Sequence, residues 1–384
     1  MRLSRSIVGE KEAAAASRVI LEDGYLGMGA ATRRFEEDLA AYLGVAPWQV
    51  IGVNSGTAAL NLAAQAVLEH AKKEAKPFSP ASPPEILVPT LTFVASFQAV
   101  AAAGCKPIAC DVDPETGLLD LADAAARITP RTIGVMRVDY ASNPLGLDDV
   151  YKFAARHNLR VIDDAAHAFG CRHRGRKIGS FGDLVCFSFD GIKNITCGEG
   201  GCVVAFDRES AQIMADSRLL GVEGDTAKRF SGDRSWNPDV TRQGWRYHLS
   251  NIMAAIGSAQ LERLDTEFAP ARRRLYEIYR ERLRGVPAAA MLKTDPADYI
   301  VPHIMPVRIP SGAKDRVAQT LEQAGIPTGV HYKPNHLLSF FGGGSIRLPN
   351  AEKLYSELIT LPLHPGLSEA DVHRVCDVLE AALS

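Results

Sequence analysis

The sequence lacks an excess of charge of either sign, because 43 lysines and arginines face 45 aspartates and glutamates among its 384 residues. A chain without a positive field has no general means of attracting nucleic acid or an anionic membrane surface. The sequence also lacks a run of 18 apolar residues, which argues against a membrane-spanning helix. Any anionic ligand must therefore be held by local groups, and we expect neither a nucleic-acid nor a membrane partner.

Paired cysteine motifs are absent as well. The seven cysteines include no CxxC pair, and several lie in apolar runs such as residues 185–187. This usage predicts neither a disulfide framework nor a metal site, and it favours reduced, buried thiols in a cytoplasmic protein. The first residues, MRLSRSIVGEKE, carry positive charge without an apolar core. We therefore expect no secretory signal.

The sequence does contain the alternation typical of an α/β protein. Short apolar runs predict strands near Val50–Val53, Ile86–Pro89, Pro107–Val112, Thr132–Val138, Leu159–Ile162, Leu184–Phe189 and Cys202–Phe206. Helix-like stretches separate them, and continuous apolar strands between helices favour a mostly parallel sheet covered on both faces. The sequence therefore predicts one large α/β domain with a seven-stranded sheet.

The pattern changes after Trp245. A helical periodicity runs through residues 250–284, and short strands mixed with helices follow it. We therefore predict a large domain over residues 1–257 and a smaller α+β domain over residues 258–384. Two segments of the large domain are rich in turn-forming or polar residues: Lys72–Pro84 is predicted as a surface insertion, and Thr226–Pro238 as an extended loop.

Four local features follow predicted strands, where open α/β sheets place their ligands. Ser55–Thr57 opens a helix and could bind an anion or simply cap the helix. Asp163 and Asp164 end an apolar strand, where a carboxylate needs a partner unless it caps the next helix. Lys193 follows another strand and is either a solvated lysine or an amine nucleophile of lowered pKa. Phe93 could stack on a flat ring or belong to the core.

The four features together match the needs of pyridoxal phosphate. A lysine forms the Schiff base to this cofactor, a carboxylate keeps its pyridine nitrogen protonated, and the protonated ring then acts as an electron sink. The anion site would hold the phosphate, and the aromatic side chain would fix the plane of the ring. The combination favours a pyridoxal-phosphate enzyme over four unrelated structural features.

The sequence resembles the DegT/StrS nucleotide-sugar aminotransferases, which depend on pyridoxal phosphate and have the aspartate-aminotransferase-like fold type I. The resemblance runs from about Ile7 to the C-terminus. Its motifs are NSGTAALNLAAQA, PTLTFVAS, VIDDAAHAFG, FSFDGIKNITCGEGG, LSNIMAAIGSAQLERLD and PTGVHY. The chain departs from the common pattern at several positions; for example, Asp139 stands where many members have His, and Asp190 stands where His or Tyr is commoner.

The resemblance implies a role for each matching residue. The implied catalytic residues are Lys193, Asp164 and His167. The implied cofactor-binding residues are Ser55, Gly56, Thr57, Phe93, Asp164, His167, Ser188 and Lys193, with Arg246 or His248 from a second subunit. The implied substrate-binding residues are Asn194, His331 and Tyr332. The family often reads GYNYRLS where this chain has GWRYHLS, which leaves open whether Arg246 or His248 reaches the phosphate.

The reaction implied is a ping-pong transamination by a homodimer whose active sites lie at the subunit interface. An amino acid, with L-glutamate favoured, would donate its amino group to a keto group of a nucleotide-linked deoxysugar for polysaccharide or O-antigen synthesis. The run KNITCGEGG favours a keto group at C4 over one at C3. The alternatives are a sugar dehydratase, although such relatives carry His at the lysine position, and a pyridoxal-phosphate-binding regulatory protein without activity.

Overall fold

The computed structural model describes residues 1–74, 78–233, 237 and 239–383. Within these residues the strands are β1 (Val50–Val53), β2 (Glu85–Pro89), β3 (Lys106–Cys110), β4 (Thr132–Val138), β5 (Arg160–Asp164), β6 (Arg172–His173), β7 (Arg176–Lys177), β8 (Leu184–Ser188), β9 (Gly201–Ala205), β10 (Ala290–Met291), β11 (Met305–Arg308) and β12 (Leu358–Leu361). The helices are α1 (Glu10–Arg18), α2 (Ala30–Leu43), α3 (Gly56–Lys73), α4 (Val94–Ala102), α5 (Leu121–Ala126), α6 (Leu147–His157), α7 (Arg208–Ser217), α8 (Asp225–Phe230), α9 (Asn251–Arg263), α10 (Ala269–Leu283), α11 (Lys314–Gln323), α12 (Pro349–Glu357) and α13 (Glu369–Leu383).

The large sheet has seven strands in the order β1-β9-β8-β5-β4-β2-β3. The strands β8, β5, β4, β2 and β3 are parallel, and β9 pairs antiparallel with both β8 and β1. This arrangement confirms the predicted mostly parallel sheet. Because β9 is antiparallel to both of its neighbours, β1 points the same way as the parallel strands. The carboxyl ends of β1, β2, β4, β5 and β8 therefore meet at one edge.

The strand ends differ from the sequence prediction by one or two residues, for local reasons. The strand predicted to reach Val112 ends at Cys110. The next amide, that of Asp111, donates to the Asp123 carboxylate at 2.7 Å, so it leaves the sheet ladder. Side-chain acceptors of this kind compete with strand pairing, and they cannot be located from a hydrophobic pattern.

Helix α3 packs against one face of the sheet, where it contacts β8 and β9. Its buried residues include six alanines, whose small side chains allow close packing against the strands. The hydroxyl of Ser55 accepts a hydrogen bond from the Ala58 amide at 3.1 Å and so caps the helix. This cap fixes the start of α3 at the edge where the carboxyl ends of the strands meet.

The polar segment 226–238 is partly helical, which corrects its interpretation as an extended loop. Helix α8 begins after Gly224, whose positive φ of 68° lets the chain turn into it. The guanidinium of Arg229 donates to the Asp225 carboxylate one turn earlier, at 2.6 Å. Residues 234–236 and 238 of this segment lie outside the described residues, as do residues 75–77 of the predicted insertion at 72–84.

The C-terminal part of the chain builds a second core. Strands β10, β11 and β12 form an antiparallel sheet. Residues of α10, α11 and α13 pack on it, among them Leu275, Val317 and Val375. The predicted boundary after residue 257 falls inside α9, which packs against α1 and α2. The division into residues 1–257 and 258–384 therefore stays a prediction.

The seven cysteines are buried free thiols, as predicted. They lie among apolar side chains, and burial raises the pKa of several of them, for example that of Cys105 to about 12. Across the described ranges, no helix combines the length and the apolar character that crossing a membrane requires.

Candidate active site

A pocket of about 350 Å³ lies at the sheet edge where the carboxyl ends of the strands meet. The start of α3, the turn after β2, the end of β5 and the turn after β8 all contribute to its wall. Parallel α/β sheets bind their ligands at this edge. Most of the predicted site residues come together there: Ser55, Gly56, Thr57, Phe93, Asp164, His167, Ser188, Lys193, His331 and Tyr332.

The N-terminus of α3 forms one end of the pocket. The first amides of a helix have no partner within it, so those of Gly56 and Thr57 are available to an anion. Gly56 lies close against Ser188, since a Cβ atom at position 56 would be 2.7 Å from the Ser188 Cβ. Ser55, Thr57 and Ser188 add three hydroxyl groups. This end of the pocket has the donors that a phosphate group requires.

Asp164 is a buried carboxylate at the end of β5. Its Oδ2 accepts a hydrogen bond from the Ser96 hydroxyl at 2.7 Å, and its Oδ1 accepts one from the Ala166 amide at 3.3 Å. The Thr92 hydroxyl lies 2.9 Å from that of Ser96 and orients it. Burial raises the pKa of Asp164, and the two hydrogen bonds oppose that shift. The surrounding contacts thus fix one carboxylate on the pocket wall.

Lys193 extends into the same pocket from the turn after β8. Its side chain is partly exposed because the pocket is open, but protein atoms surround the amine. Burial lowers the pKa of Lys193 to about 8, and the positive charge of Arg272 adds to this. The carboxylates of Asp164 and Asp190 oppose the shift. A substantial fraction of this amine is therefore neutral near pH 8, as a nucleophile or a base requires.

His167 connects the large sheet with the C-terminal part of the chain. Its Nε2 lies 3.1 Å from the Tyr332 hydroxyl, and the Ser142 hydroxyl donates to its backbone carbonyl. Burial holds the pKa of His167 well below its usual range, and the charge of Lys193 reinforces this. Burial also lowers the pKa of His331 to about 4. Both rings are therefore neutral near pH 7 and act as hydrogen-bonding groups.

Asn194 does not line the pocket, and its contact with substrate stays a prediction. The residue is buried, and its side-chain amide donates to the carbonyls of Phe169 at 2.9 Å and Val301 at 3.0 Å. These bonds join the lysine turn to two other segments. Asn194 therefore has a structural role beside Lys193.

Arg246 and His248 also lie outside the pocket of their own chain. Their segment runs along β1, where the Asn54 amide donates to the Tyr247 carbonyl at 2.7 Å. The Arg246 side chain is exposed, and that of His248 is half-buried. This placement is compatible with a role in a second subunit, which stays a prediction.

Sequence reasoning did not identify two residues next to Lys193. His303 is buried and lines the pocket, and Arg272 is buried beneath the lysine turn. His303 lies in the apolar run VPHIMPV, and Arg272 begins a run of three arginines. A lone histidine in an apolar run is more often a core residue, and basic runs on helices are usually solvated. For His303, the sequence signal that could have identified it was a polar residue just before a buried strand.

The residues present fit pyridoxal phosphate. The helix terminus and hydroxyls fit its phosphate, the Asp164 carboxylate fits a protonated ring nitrogen, and the amine of Lys193 fits its aldehyde. The Nδ1 atom of His167 is buried and has no hydrogen-bond partner within the described ranges, which leaves a polar atom for a bound molecule. The fold and the site together define a pyridoxal-phosphate-dependent enzyme of fold type I.

The chain belongs to the DegT/DnrJ/EryC1/StrS aminotransferase family, whose sequence profile matches residues 8–380. It is 34% identical over 388 residues to a dTDP-4-dehydro-2,3,6-trideoxy-D-glucose 4-aminotransferase of Saccharopolyspora spinosa, covering 100% of this chain and 97% of the relative. It is 37% identical over 359 residues to a GDP-perosamine synthase of Caulobacter vibrioides, covering 91% and 89%. The crystal structure of the aminotransferase TlmJ from Streptoalloteichus hindustanus matches with a TM-score of 0.87 at 30% identity, covering 100% and 98%. The protein is thus a transaminase whose cofactor is pyridoxal 5'-phosphate.

Replacing Gly56 by alanine should damage the phosphate end of the pocket. The new Cβ would lie 2.7 Å from the Ser188 Cβ, so one of the two segments must shift. We expect a loss of about 1–3 kcal/mol in the free energy of unfolding and about tenfold weaker cofactor binding. Thermal unfolding and a cofactor titration measure the two effects.

Gly9→Ala is the matched control, because a Cβ at position 9 would meet no atom within 4 Å. This variant should bind the cofactor as the wild type does. If Gly56→Ala also retains wild-type affinity for the cofactor, the phosphate does not lie at the start of α3.

Proposed function

We propose that the protein transfers an amino group from an amino acid, with L-glutamate favoured, to the C4 keto group of a nucleotide-linked deoxysugar. The observation that carries this proposal is the amine of Lys193, partly neutral, in one pocket with the buried carboxylate of Asp164. The names of two full-length relatives support the choice of substrate, since one is a 4-aminotransferase of a dTDP-linked sugar and the other a GDP-perosamine synthase.

Bound pyridoxal phosphate supplies an aldehyde for the amino group and a ring that withdraws electrons from the neighbouring carbon. Lys193 would bind this cofactor covalently through Nζ. When Nζ is free and neutral, it takes a proton from the α-carbon of the donor as a general base and releases it as a general acid. Asp164 would hold the ring nitrogen, with Phe93 and His167 beside the ring.

The substrate side of the pocket is formed by the C-terminal part of the chain. His331 and Tyr332 line it, and the Tyr332 ring lies 5.5 Å from that of Phe93. The Nδ1 atom of His331 lies 2.8 Å from the Thr360 hydroxyl. Because the imidazole is neutral, it can contact sugar hydroxyls without attracting the nucleotide phosphates. We therefore assign His331 and Tyr332 to the sugar.

The test is a spectroscopic assay of the purified holoenzyme. Adding L-glutamate should remove the visible absorbance of the bound cofactor, and a 4-keto nucleotide sugar should then restore it. A panel of 4-keto and 3-keto nucleotide sugars decides the position of amination. If no amino donor changes the spectrum, the protein is a non-catalytic binder. Release of water from the sugar without a donor would indicate a dehydratase, which the lysine at position 193 argues against.

We infer that a second copy of the chain completes the site. Asp190 and Glu199 line the pocket together with Asp164, and no arginine is found among the lining residues of the described chain. Lys193 and a protonated ring nitrogen together supply at most two positive charges, which cannot balance three carboxylates and a phosphate. A cation is therefore needed from outside the pocket, and the exposed Arg246 or the half-buried His248 of a second subunit could supply it.

Subunit mixing tests this arrangement. In a dimer with shared sites, Lys193→Ala and Arg246→Ala subunits are each inactive alone, but a hybrid of the two has one intact site. Random exchange should therefore restore about a quarter of the wild-type activity, because half of the dimers are hybrids and each has one intact site of two. The same mixture with His248→Ala shows which side chain is needed. No recovery after verified exchange would contradict a shared site.

The product would serve polysaccharide or O-antigen synthesis, where amino sugars are common building blocks. The buried free thiols support a reducing compartment, and we propose the cytoplasm as the site of action.

A further inference from the structure

The amine of Lys193 has a close neighbour that sequence reasoning did not identify. Its Nζ lies 3.3 Å from Nε2 of His303, a buried residue 110 positions later in the chain. Two nitrogen atoms at this distance share a hydrogen, so that one donates and the other accepts. Hydrogen bonds between catalytic groups are often long in enzymes without substrate.

Arg272 fixes the distance between the two residues. Its buried guanidinium donates to the backbone carbonyl of Lys193 at 3.5 Å and to that of His303 at 3.3 Å. The His303 amide also donates to the Ser142 hydroxyl at 2.9 Å. The backbones on both sides of the contact are therefore anchored, and the juxtaposition does not depend on the two side chains alone.

His303 suits the role of a neutral acceptor. Burial holds its pKa well below the usual range, and the positive charge of Lys193 adds to this. With its proton on Nδ1, an atom that has no hydrogen-bond partner within the described ranges, a neutral imidazole accepts at Nε2. It can accept from the neutral amine, whose lone pair stays free, and it accepts more strongly from the charged ammonium form. The same hydrogen bond therefore serves both protonation states of Lys193.

We propose that His303 is a catalytic residue that holds Nζ of Lys193 by accepting its hydrogen bond while the lysine gains and loses a proton. The inference rests on the proposed transamination, in which Lys193 moves that proton. The charged and titratable groups facing Nζ or the His303 ring are Asp164, Asp190, Arg272, His167 and His331. Of these the carboxylates favour the ammonium form, whereas Arg272 disfavours it.

The test measures the pKa of Lys193 in the cofactor-free, full-length protein. Acetic anhydride labels neutral amines, and mass spectrometry of the peptide containing Lys193 over a pH series gives the midpoint. In His303→Phe the ammonium loses its acceptor, so the midpoint should fall by about one pH unit. In His303→Gln the side-chain carbonyl can accept instead, so most of the wild-type midpoint should return. His173→Gln, a buried histidine outside this pocket, should leave it unchanged.

The same variants give a catalytic readout. The reaction of the holoenzyme with L-glutamate should slow about tenfold in His303→Phe and recover in His303→Gln. An unchanged midpoint in a folded His303→Phe variant would overturn the proposal, and His303→Leu answers the question if the Phe variant does not fold. If the wild-type holoenzyme transaminates normally but the midpoint of Lys193 is the same in His303→Phe, only the role of His303 is rejected. If the midpoint shifts in His303→Phe but the wild-type holoenzyme never transaminates, the proposed function is rejected, and the catalytic role of His303 with it.

Discussion

Replacing Lys193 by alanine should reduce transamination at least about 1,000-fold, equivalent to about 4 kcal/mol in the activation barrier. The variant loses the amine that binds the cofactor covalently and the base that moves the proton. The pocket should still bind the cofactor, because its phosphate, ring and carboxylate contacts do not involve the lysine. We therefore expect bound cofactor whose visible band is shifted to that of the free aldehyde.

Lys314→Ala is the matched control for this experiment. Lys314 is also partly buried, and its amine donates to the Tyr355 carbonyl, away from the pocket. Its replacement should leave both the spectrum and the turnover unchanged. A Lys193→Ala protein that keeps the wild-type band and more than about a tenth of the activity would contradict the assignment of Lys193.

The strand pattern and the local site motifs could be predicted from the sequence because each depends on neighbouring residues. Asp164 ends one apolar strand and Lys193 lies in the turn after another, and the carboxyl ends of parallel strands meet at one edge. Motifs far apart in the chain therefore come together without any detailed knowledge of packing. The antiparallel direction of β9 was not predictable in this way, since it depends on which edge the chain reaches after the lysine turn.

The residues that the sequence did not reveal depend on tertiary contacts. His303 and Arg272 come from other segments, and only the folded chain places them 3.3 and 3.5 Å from atoms of Lys193. Asn194 shows the opposite case, in which a residue next to a site residue in the sequence does not line the pocket. It follows Lys193 directly, but consecutive side chains in a turn point in different directions, and its amide binds the carbonyls of Phe169 and Val301.

Replacing Asp164 by asparagine should slow the reaction with L-glutamate by about 1,000-fold, or about 4 kcal/mol in barrier, while the protein stays folded. The asparagine carbonyl can still accept from the Ser96 hydroxyl, which is 2.7 Å from Oδ2 in the wild type. The amide carries no negative charge, so it cannot stabilise a protonated ring nitrogen. Single-turnover absorbance measurements with glutamate give the rate directly.

The same substitution should also change the pH dependence, and in a direction that tests the geometry. The Asp164 carboxylate raises the pKa of Lys193 against the stronger effect of burial. Its removal should lower that pKa from about 8, so that Lys193 becomes neutral at a lower pH. The acidic limb of the plot of rate against pH should therefore shift to lower pH. A slower reaction with an unmoved limb would mean that Asp164 does not face the amine.

Asp163→Asn separates the two adjacent carboxylates. Asp163 is equally buried, but it faces Arg137 at 3.6 Å, away from the pocket. Burial raises its pKa to about 6, so the neutral amide is a moderate change at this position. We expect this variant to lose some stability but to keep the cofactor spectrum and the acidic limb of the wild type. Because the two residues are neighbours on one strand, equal effects of both substitutions would point to general damage of β5. A large effect of Asp164→Asn alone would place the ring nitrogen at Asp164.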